Sequence, residues 1–143
     1  MKKHFLLSFF VIVSIFVLLL LFSCSSTQKI NYYSKTENYI KVTGTISSIE
    51  YNEDRTTLYL EFSELKPILN DTCFKIVGGN LQVVQNNGID DKIQIGDKIT
   101  FVTAPKYFGD GYVMPIVSIS TADDEWLLEF EEGYKNLLKW LQE

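Results

Sequence analysis

Few side chains in this sequence have the chemistry that catalysis requires. The only histidine is His4, close to the start of the chain, so the residues after it have no imidazole to act as a base or as a metal ligand. The two cysteines are Cys24 and Cys73. Neither a histidine nor a basic cluster lies near Cys73 in the sequence to activate its thiol, which favours a structural cysteine at the start of a strand. We therefore expect a chain that is not an enzyme and that holds no metal and no cofactor.

Acidic residues occur in groups that could bring two carboxylates together. One group contains Glu50, Glu53 and Asp54, and another covers residues 123–125. Paired carboxylates serve acid–base catalysis and calcium binding, but the spacing of these groups is specific for neither. We interpret them as a solvated acidic surface, and a carboxylate-based hydrolase is the alternative to a non-enzymatic chain.

The whole chain is acidic, with a formal net charge of −5 at pH 7. Lys2 and Lys3 belong to the first, apolar part of the chain, so the remainder is more negative still. An acidic surface repels phosphate backbones, and the sequence has no basic stripe with interleaved aromatic residues. We expect no nucleic-acid partner.

The start of the chain has the composition of a processing segment. Lys2 and Lys3 precede an apolar run from Phe5 to Phe22 that only two serines interrupt. At about 1.5 Å per residue this run approaches the thickness of a bilayer core, about 30 Å. Length alone therefore permits either a signal sequence or a membrane helix.

The four residues Leu21-Phe22-Ser23-Cys24 resemble the lipobox of bacterial lipoproteins. The resemblance implies that Cys24 carries a diacylglyceryl group on its sulfur and that the chain is cut between Ser23 and Cys24. Residues 1–23 would then be a signal peptide, and the polar residues 24–38 a lipidated tether. The alternative is an uncleaved signal anchor, in which a disulfide between Cys24 and Cys73 becomes possible. Both interpretations place the rest of the chain outside the cytoplasm.

Alternation of apolar residues with a period of two predicts strands through the middle of the chain. The first strand begins near residue 39, and its alternation changes parity before Ile49 and Tyr51, which predicts a bulge or bend near Ser47 and Ser48. A short helix is predicted over residues 80–87, and extended structure, which Val83 and Val84 favour, is the alternative. The other strands are predicted around residues 57–62, 73–77, 98–104 and 112–120, the last with Pro115, which favours an edge position or a bulge.

This order of three strands, a short helix and two strands resembles the OB-fold, a five-stranded, partly open barrel. The resemblance covers residues 39–121 and implies a mainly β (α+β) protein with a small OB-like barrel. Other small barrels or a sandwich are the alternatives.

The OB-fold resemblance also implies a binding face. Tyr107 and Phe108 stand between turn residues in a predicted hairpin loop, and this loop would lie beside outward-facing Tyr59 and Lys75. The four side chains would form a stacking platform for a sugar, a peptide or a partner protein. The alternative is that Tyr107 and Phe108 pack against the barrel end or the terminal helix.

Residues 122–143 predict an amphipathic helix packed on the barrel. Thr121 and Asp124 resemble a capping box at its start. Gly133 costs about 1 kcal/mol against alanine inside a helix and predicts a break, which would leave a helix over residues 131–142 only. The apolar stripe of this helix, with spacings of three and four residues, is Leu127, Phe130, Tyr134, Leu137 and Leu141.

Together these features predict a membrane-anchored lipoprotein of the bacterial envelope that presents a small, non-enzymatic binding or assembly domain. The anchor would lie in the cell membrane or the outer membrane. The expected partners are the membrane, through the lipid, and an envelope protein or a glycan. The alternatives are a carboxylate-based hydrolase acting on envelope polymers and a purely structural lipoprotein.

Overall fold

The computed structural model describes residues 11, 13–15, 27–106, 108 and 114–143. Contacts divide the chain into two units, Met1–Ser34 and Lys35–Glu143. The lipobox-like residues 21–24, Cys24 included, lie outside the described residues. Among the helices that are described, none combines the length and the apolar composition that crossing a bilayer requires.

The described end of the first unit is helical over residues 27–33. The backbone N–H of Ser34 donates to the carbonyl oxygen of Ile30 at 2.9 Å, which closes the last turn. The segment 24–38, which we expected to be a tether, therefore contains helical residues.

The second unit contains six strands and three α-helices among its described residues. A short 3₁₀ turn, Thr36–Asn38, precedes them. The strands are β1 (Ile40–Tyr51), β2 (Thr57–Lys66), β3 (Cys73–Val77), β4 (Lys98–Thr103), β5 (Met114–Ser120) and β6 (Trp126–Leu128), and the helices are α1 (Gly78–Asn86), α2 (Ile89–Lys92) and α3 (Phe130–Trp140). The protein is therefore of the α+β class and mainly β, as the sequence predicts, with a helix between β3 and β4.

Five of the strands close a ring of hydrogen-bonded pairs. The order along the sheet is β3-β2-β1-β4-β5-β6, and an additional parallel pairing joins β3 to β5. That pairing uses the start of β5, at Met114 and Pro115. The end of β5, at Ile119 and Ser120, pairs with β6. Strand β6 thus lies outside the ring and extends the sheet towards α3.

Apolar side chains alternate along β1, β2 and β4 and supply much of the buried core, to which apolar residues of β3, β5, β6, α1 and α2 also contribute. Phe62 and Phe101 stack with ring centroids 4.5 Å apart, and Phe74 meets Phe101 edge-on at 4.9 Å. All three rings are buried. Aromatic contacts of this kind add about 0.5–1.5 kcal/mol to the burial of the rings themselves.

A bulge in β1 confirms the prediction from its change of parity. Ile46 lies opposite Phe62, whereas Ser48 lies opposite Glu61, so Ser47 is the extra residue. The bulge turns the half-buried side chains of Ile49 and Tyr51 towards the core.

Pro115 does not mark an edge strand. Strand β5 is buried along its whole length and pairs with β3, β4 and β6. The other expectation for this strand, a bulge, is met close by, because Val102 lies opposite Ser118 and Thr103 lies opposite Ile116, which leaves Val117 as the extra residue.

The prediction of a helix from residue 122 is wrong for its first part. The hydroxyl of Thr121 accepts the N–H of Glu125, and the N–H of Thr121 donates to the carbonyl of Glu125, so the predicted capping box is a turn. That turn leads into β6, and the helix begins only at Phe130. The shorter helix that the sequence offered as the alternative matches the structure within one or two residues at each end.

Gly133 is the contact point between α3 and the sheet. A Cβ atom at this position would overlap the carbonyl oxygen of Val117, the bulged residue of β5. Both partners are buried. We interpreted Gly133 as a weak point of the helix, but the absence of its side chain is what allows α3 to lie directly on the backbone of β5.

We expect Gly133→Ala to lower the free energy of unfolding by about 3 kcal/mol, because overpacking against a backbone atom cannot be relieved by a side-chain movement. Helix propensity alone predicts the opposite sign, a gain of about 1 kcal/mol. Lys135→Ala, at an exposed position of the same helix, is the matched control and should change stability little. Urea unfolding of the chain in detergent, followed by circular dichroism, measures both, and a more stable Gly133→Ala chain would refute the contact.

Candidate functional site

An open, polar groove runs between α1 and α3. Its volume is about 520 Å³, which is within the range of small-molecule sites. Helix α1 and α3 form its two walls. Its lining residues are Gly78, Gly79, Gln82, Val83, Asn86, Glu132, Asn136, Lys139, Trp140 and Glu143.

The floor of the groove depends on the start of α1. Gly78 has a φ of +54°, a left-handed conformation that lets the chain pass from β3 into α1 without a loop. A Cβ at Gly78 would lie 2.7 Å from Cδ1 of Trp140, and one at Gly79 would lie 3.1 Å from Cγ of Asn136. Two side chains of α3 therefore lie close against the first two residues of α1.

Two asparagines hold α1 in place. The Nδ2 of Asn80 donates to the carbonyl oxygen of Gly133 at 2.9 Å, and the Nδ2 of Asn87 donates to the carbonyl oxygen of Leu127 at 2.9 Å. We predicted these residues as the ends of a helix, but they connect the two ends of α1 to α3 and β6. Asn80 is 1 % exposed, and a hydrogen bond inside the protein is stronger than one at the surface.

The groove offers donors and acceptors along its length. Gln82 and Asn86 lie four residues apart on α1, so their exposed amides share one face of the helix. Asn136 and Trp140 have the same spacing on α3 and are partly exposed. Each side-chain amide supplies two donors and an acceptor, and the indole supplies a flat apolar surface.

Two of the predicted platform residues are neighbours, but one of them is not on the surface. Tyr59 lies directly opposite Lys75 in the β2–β3 pair, and Tyr59 is half-buried. Lys75 faces away from the core as expected, yet it is only 8 % exposed, and its Nζ lies 5.5 Å from the ring centroid of Trp140. The expectation of a solvent-facing Lys75 is wrong, and Trp140 of α3 is one of the side chains packed against it.

The predicted loop aromatics are described only in part. Phe108 is half-buried, and the Nζ of Lys106 lies 5.0 Å from its ring centroid. That distance is within the range of a cation–π contact. Tyr107 lies outside the described residues. The platform of Tyr107, Phe108, Tyr59 and Lys75 stays a prediction, without the exposure that we expected of Lys75.

The predicted acidic groups lie on the surface. Glu50, Glu53 and Asp54 are exposed, and so are residues 123–125. Glu125 accepts a charged hydrogen bond from Lys92 at 2.6 Å. Within the described part of the chain, no three histidine, cysteine or acidic side chains converge as metal ligands.

Sequence analysis did not identify the groove. The one signal was the four-residue spacing of Gln82 and Asn86 inside the predicted short helix, repeated by Asn136 and Trp140. Spacing shows that two side chains share a helix face, but it does not show that two helices from distant parts of the chain face each other.

Cys73 is a poor nucleophile in its position at the start of β3. It is half-buried, and burial, followed by the nearby carboxylates of Glu61 and Glu50, raises the pKa of its thiol. Less thiolate is therefore present at neutral pH than for a free cysteine. The structural role that we predicted for Cys73 agrees with this environment.

The chain matches no known protein family, no curated protein and no solved structure. A functional assignment therefore depends on the sequence of residues 1–24 and on the geometry of the groove.

We expect the rate at which iodoacetamide alkylates Cys73 to rise at a higher pH in the folded chain than in the chain unfolded in urea, because the thiolate is the reacting form. Glu61 lies directly opposite Cys73, so Glu61→Gln removes a negative charge and should move the profile towards lower pH. Glu64→Gln, on the same strand, is the control and should leave it unchanged. The rate is measured by mass spectrometry of the peptide that contains Cys73. Identical profiles for the folded and unfolded chains would contradict the raised pKa.

Proposed function

We propose that this chain is a lipid-anchored lipoprotein of the bacterial envelope and that its second unit is a non-enzymatic binding module. The observation that carries the binding function is the groove between α1 and α3. A site of about 520 Å³ with a polar lining on fixed helices has the size and the donors and acceptors that a ligand site requires. The anchor would keep the module outside the cytoplasm at the cell membrane or the outer membrane.

The anchoring part of the proposal is supported by the sequence around Cys24. Leu21 stands three residues before the thiol and Ser23 directly before it, after a long apolar run and a cationic start. One acyl chain holds a protein to a bilayer only marginally, whereas two chains at about 0.8 kcal/mol per buried methylene hold it stably. A diacylglyceryl group on Cys24 would satisfy that requirement.

We further propose that the ring of five strands is an OB-like barrel. The support is its closure in the order β1–β2–β3–β5–β4, with β3 parallel to β5 and a helix between β3 and β4. The bulge at Ser47 provides the bend in a long first strand that serves both edges of such a barrel. Strand β6 and α3 would then be additions to the barrel, and the groove would lie between the helix of the barrel, α1, and the added helix α3.

The anchor is tested by growth on radioactive palmitate. We expect the wild-type chain to be labelled and Cys24→Ser to be unlabelled, because the thiol that would carry the lipid is absent. Cys73→Ser is the matched control and should be labelled like the wild type. An unlabelled wild-type chain, or label on Cys24→Ser, would refute the lipoprotein assignment.

The binding function is tested by crosslinking in whole cells. We expect the wild-type chain to give a defined adduct with an envelope component. The double variant Gln82→Ala/Asn86→Ala should lose most of that adduct, since it removes two exposed amides from the groove wall. Asn70→Ala removes an exposed amide from the β2–β3 loop and should retain the adduct. Equal adducts from all three chains would remove the groove from the binding function.

A further inference from the structure

We infer that the groove binds a neutral glycan, with the indole of Trp140 and the amides of both helices as the contacting groups. This inference rests on the proposed binding function and adds the chemical class of the ligand. The support comes from the lining residues, their charges and the rigidity of the walls.

The lining of the groove is mostly polar. Small-molecule sites are in general lined mainly by hydrophobic side chains with a few polar groups. Here the lining is reversed, because Val83 and Trp140 are the only large apolar side chains among the ten lining residues. An apolar ligand or the apolar face of a helix would leave the amides and charges of this groove without partners, which costs free energy. The lining therefore selects a ligand that is itself rich in polar groups.

The hydrogen-bond donors and acceptors of the groove suit a polyhydroxylated ligand. Gln82 and Asn86 on one wall and Asn136 on the other have side-chain amides, which can both donate and accept hydrogen bonds. A sugar hydroxyl also does both, so a polyhydroxylated ligand can pair with amides in several orientations. A carboxylate or phosphate only accepts, and it would leave the amide oxygens unsatisfied.

The charges in and around the groove favour a neutral ligand. Glu132, Glu143 and Lys139 line the groove, the ammonium of Lys75 lies 5.5 Å from the ring of Trp140, and the chain as a whole carries a formal net charge of −5. This field disfavours an anionic ligand. A neutral ligand avoids the repulsion, and its hydroxyl groups can still donate hydrogen bonds to the carboxylates.

The indole of Trp140 offers a surface for a sugar ring. Trp140 is partly exposed in the wall of the groove. Gly78 lies against its ring, and the Nζ of Lys75 lies 5.5 Å from the ring centroid, so a sugar would contact the part of the indole that these groups leave exposed. The aliphatic C–H face of a sugar ring can lie on an aromatic surface while its hydroxyls reach the surrounding polar groups. Trp140 therefore supplies the flat contact that amides alone lack.

The walls of the groove are held in place before a ligand enters. Both walls are fixed by the backbone of the fold, since the amide of Asn80 binds the Gly133 carbonyl and Gly133 lies on β5. A ligand that enters between fixed walls pays less conformational entropy than one that must order a loop.

The test is a fluorescence titration of the full chain in a detergent without a sugar head group. The chain has two tryptophans, so Trp126→Phe leaves Trp140 as the only reporter. We expect a saturable change in Trp140 emission with chitotriose, a neutral N-acetylhexosamine trimer, and no saturable change with trialanine, a neutral peptide of similar length. In the same background, Gln82→Ala/Asn86→Ala should weaken the binding of chitotriose at least about tenfold, and Asn70→Ala should not change it.

Three outcomes would overturn the inference. They are the absence of a saturable change with chitotriose, an equal response to trialanine, and equal affinity of the wild-type background and the double variant. The whole-cell crosslink then separates this failure from failure of the proposed function. A groove-dependent adduct without chitotriose binding refutes the ligand class alone, whereas loss of both refutes the binding function as well.

Discussion

The arrangement of this protein depends on the direct contact of a helix with a strand backbone at Gly133. Helix α3 can lie on β5 because position 133 has no side chain and because the bulge at Val117 leaves a carbonyl at that point. The carbonyl of Gly133 in turn accepts the hydrogen bond of Asn80, which positions α1. One small residue thus sets the distance between a sheet and two helices.

The separation of the core from the groove follows from this contact. The aromatic core of Phe62, Phe74 and Phe101 lies inside the ring of strands and stabilises the fold. The groove lies between helices outside that ring, so its lining is not required to be apolar. The amides and charges at its surface are tolerated because the ring already supplies the buried apolar surface that a domain of this size needs. The groove is therefore where the fold leaves side chains available for recognition.

The sequence predicts what local pattern controls and misses what distant contacts control. Period-two alternation predicted the strands of the ring, and a change of parity predicted a bulge or bend near Ser47 and Ser48, where the structure has a bulge. Strand β6 was missed because three residues, Trp126–Leu128, are too short for a periodic signal and their sequence also fits the apolar stripe of the helix. Lys75 was expected at the surface because alternation identifies the face of a strand but not what covers that face. Gly133 was interpreted as a weakness because helix propensities describe an isolated helix, in which no strand approaches.

Amide hydrogen exchange of the chain under native conditions tests the central claim most directly, because it reports the opening of each element separately. If the contact at Gly133 holds α3 on β5, the amides of Leu137 and its neighbours in α3 exchange with protection close to that of β5. Fast exchange throughout α3, with β5 still protected, would show a detached terminal helix and would contradict the account.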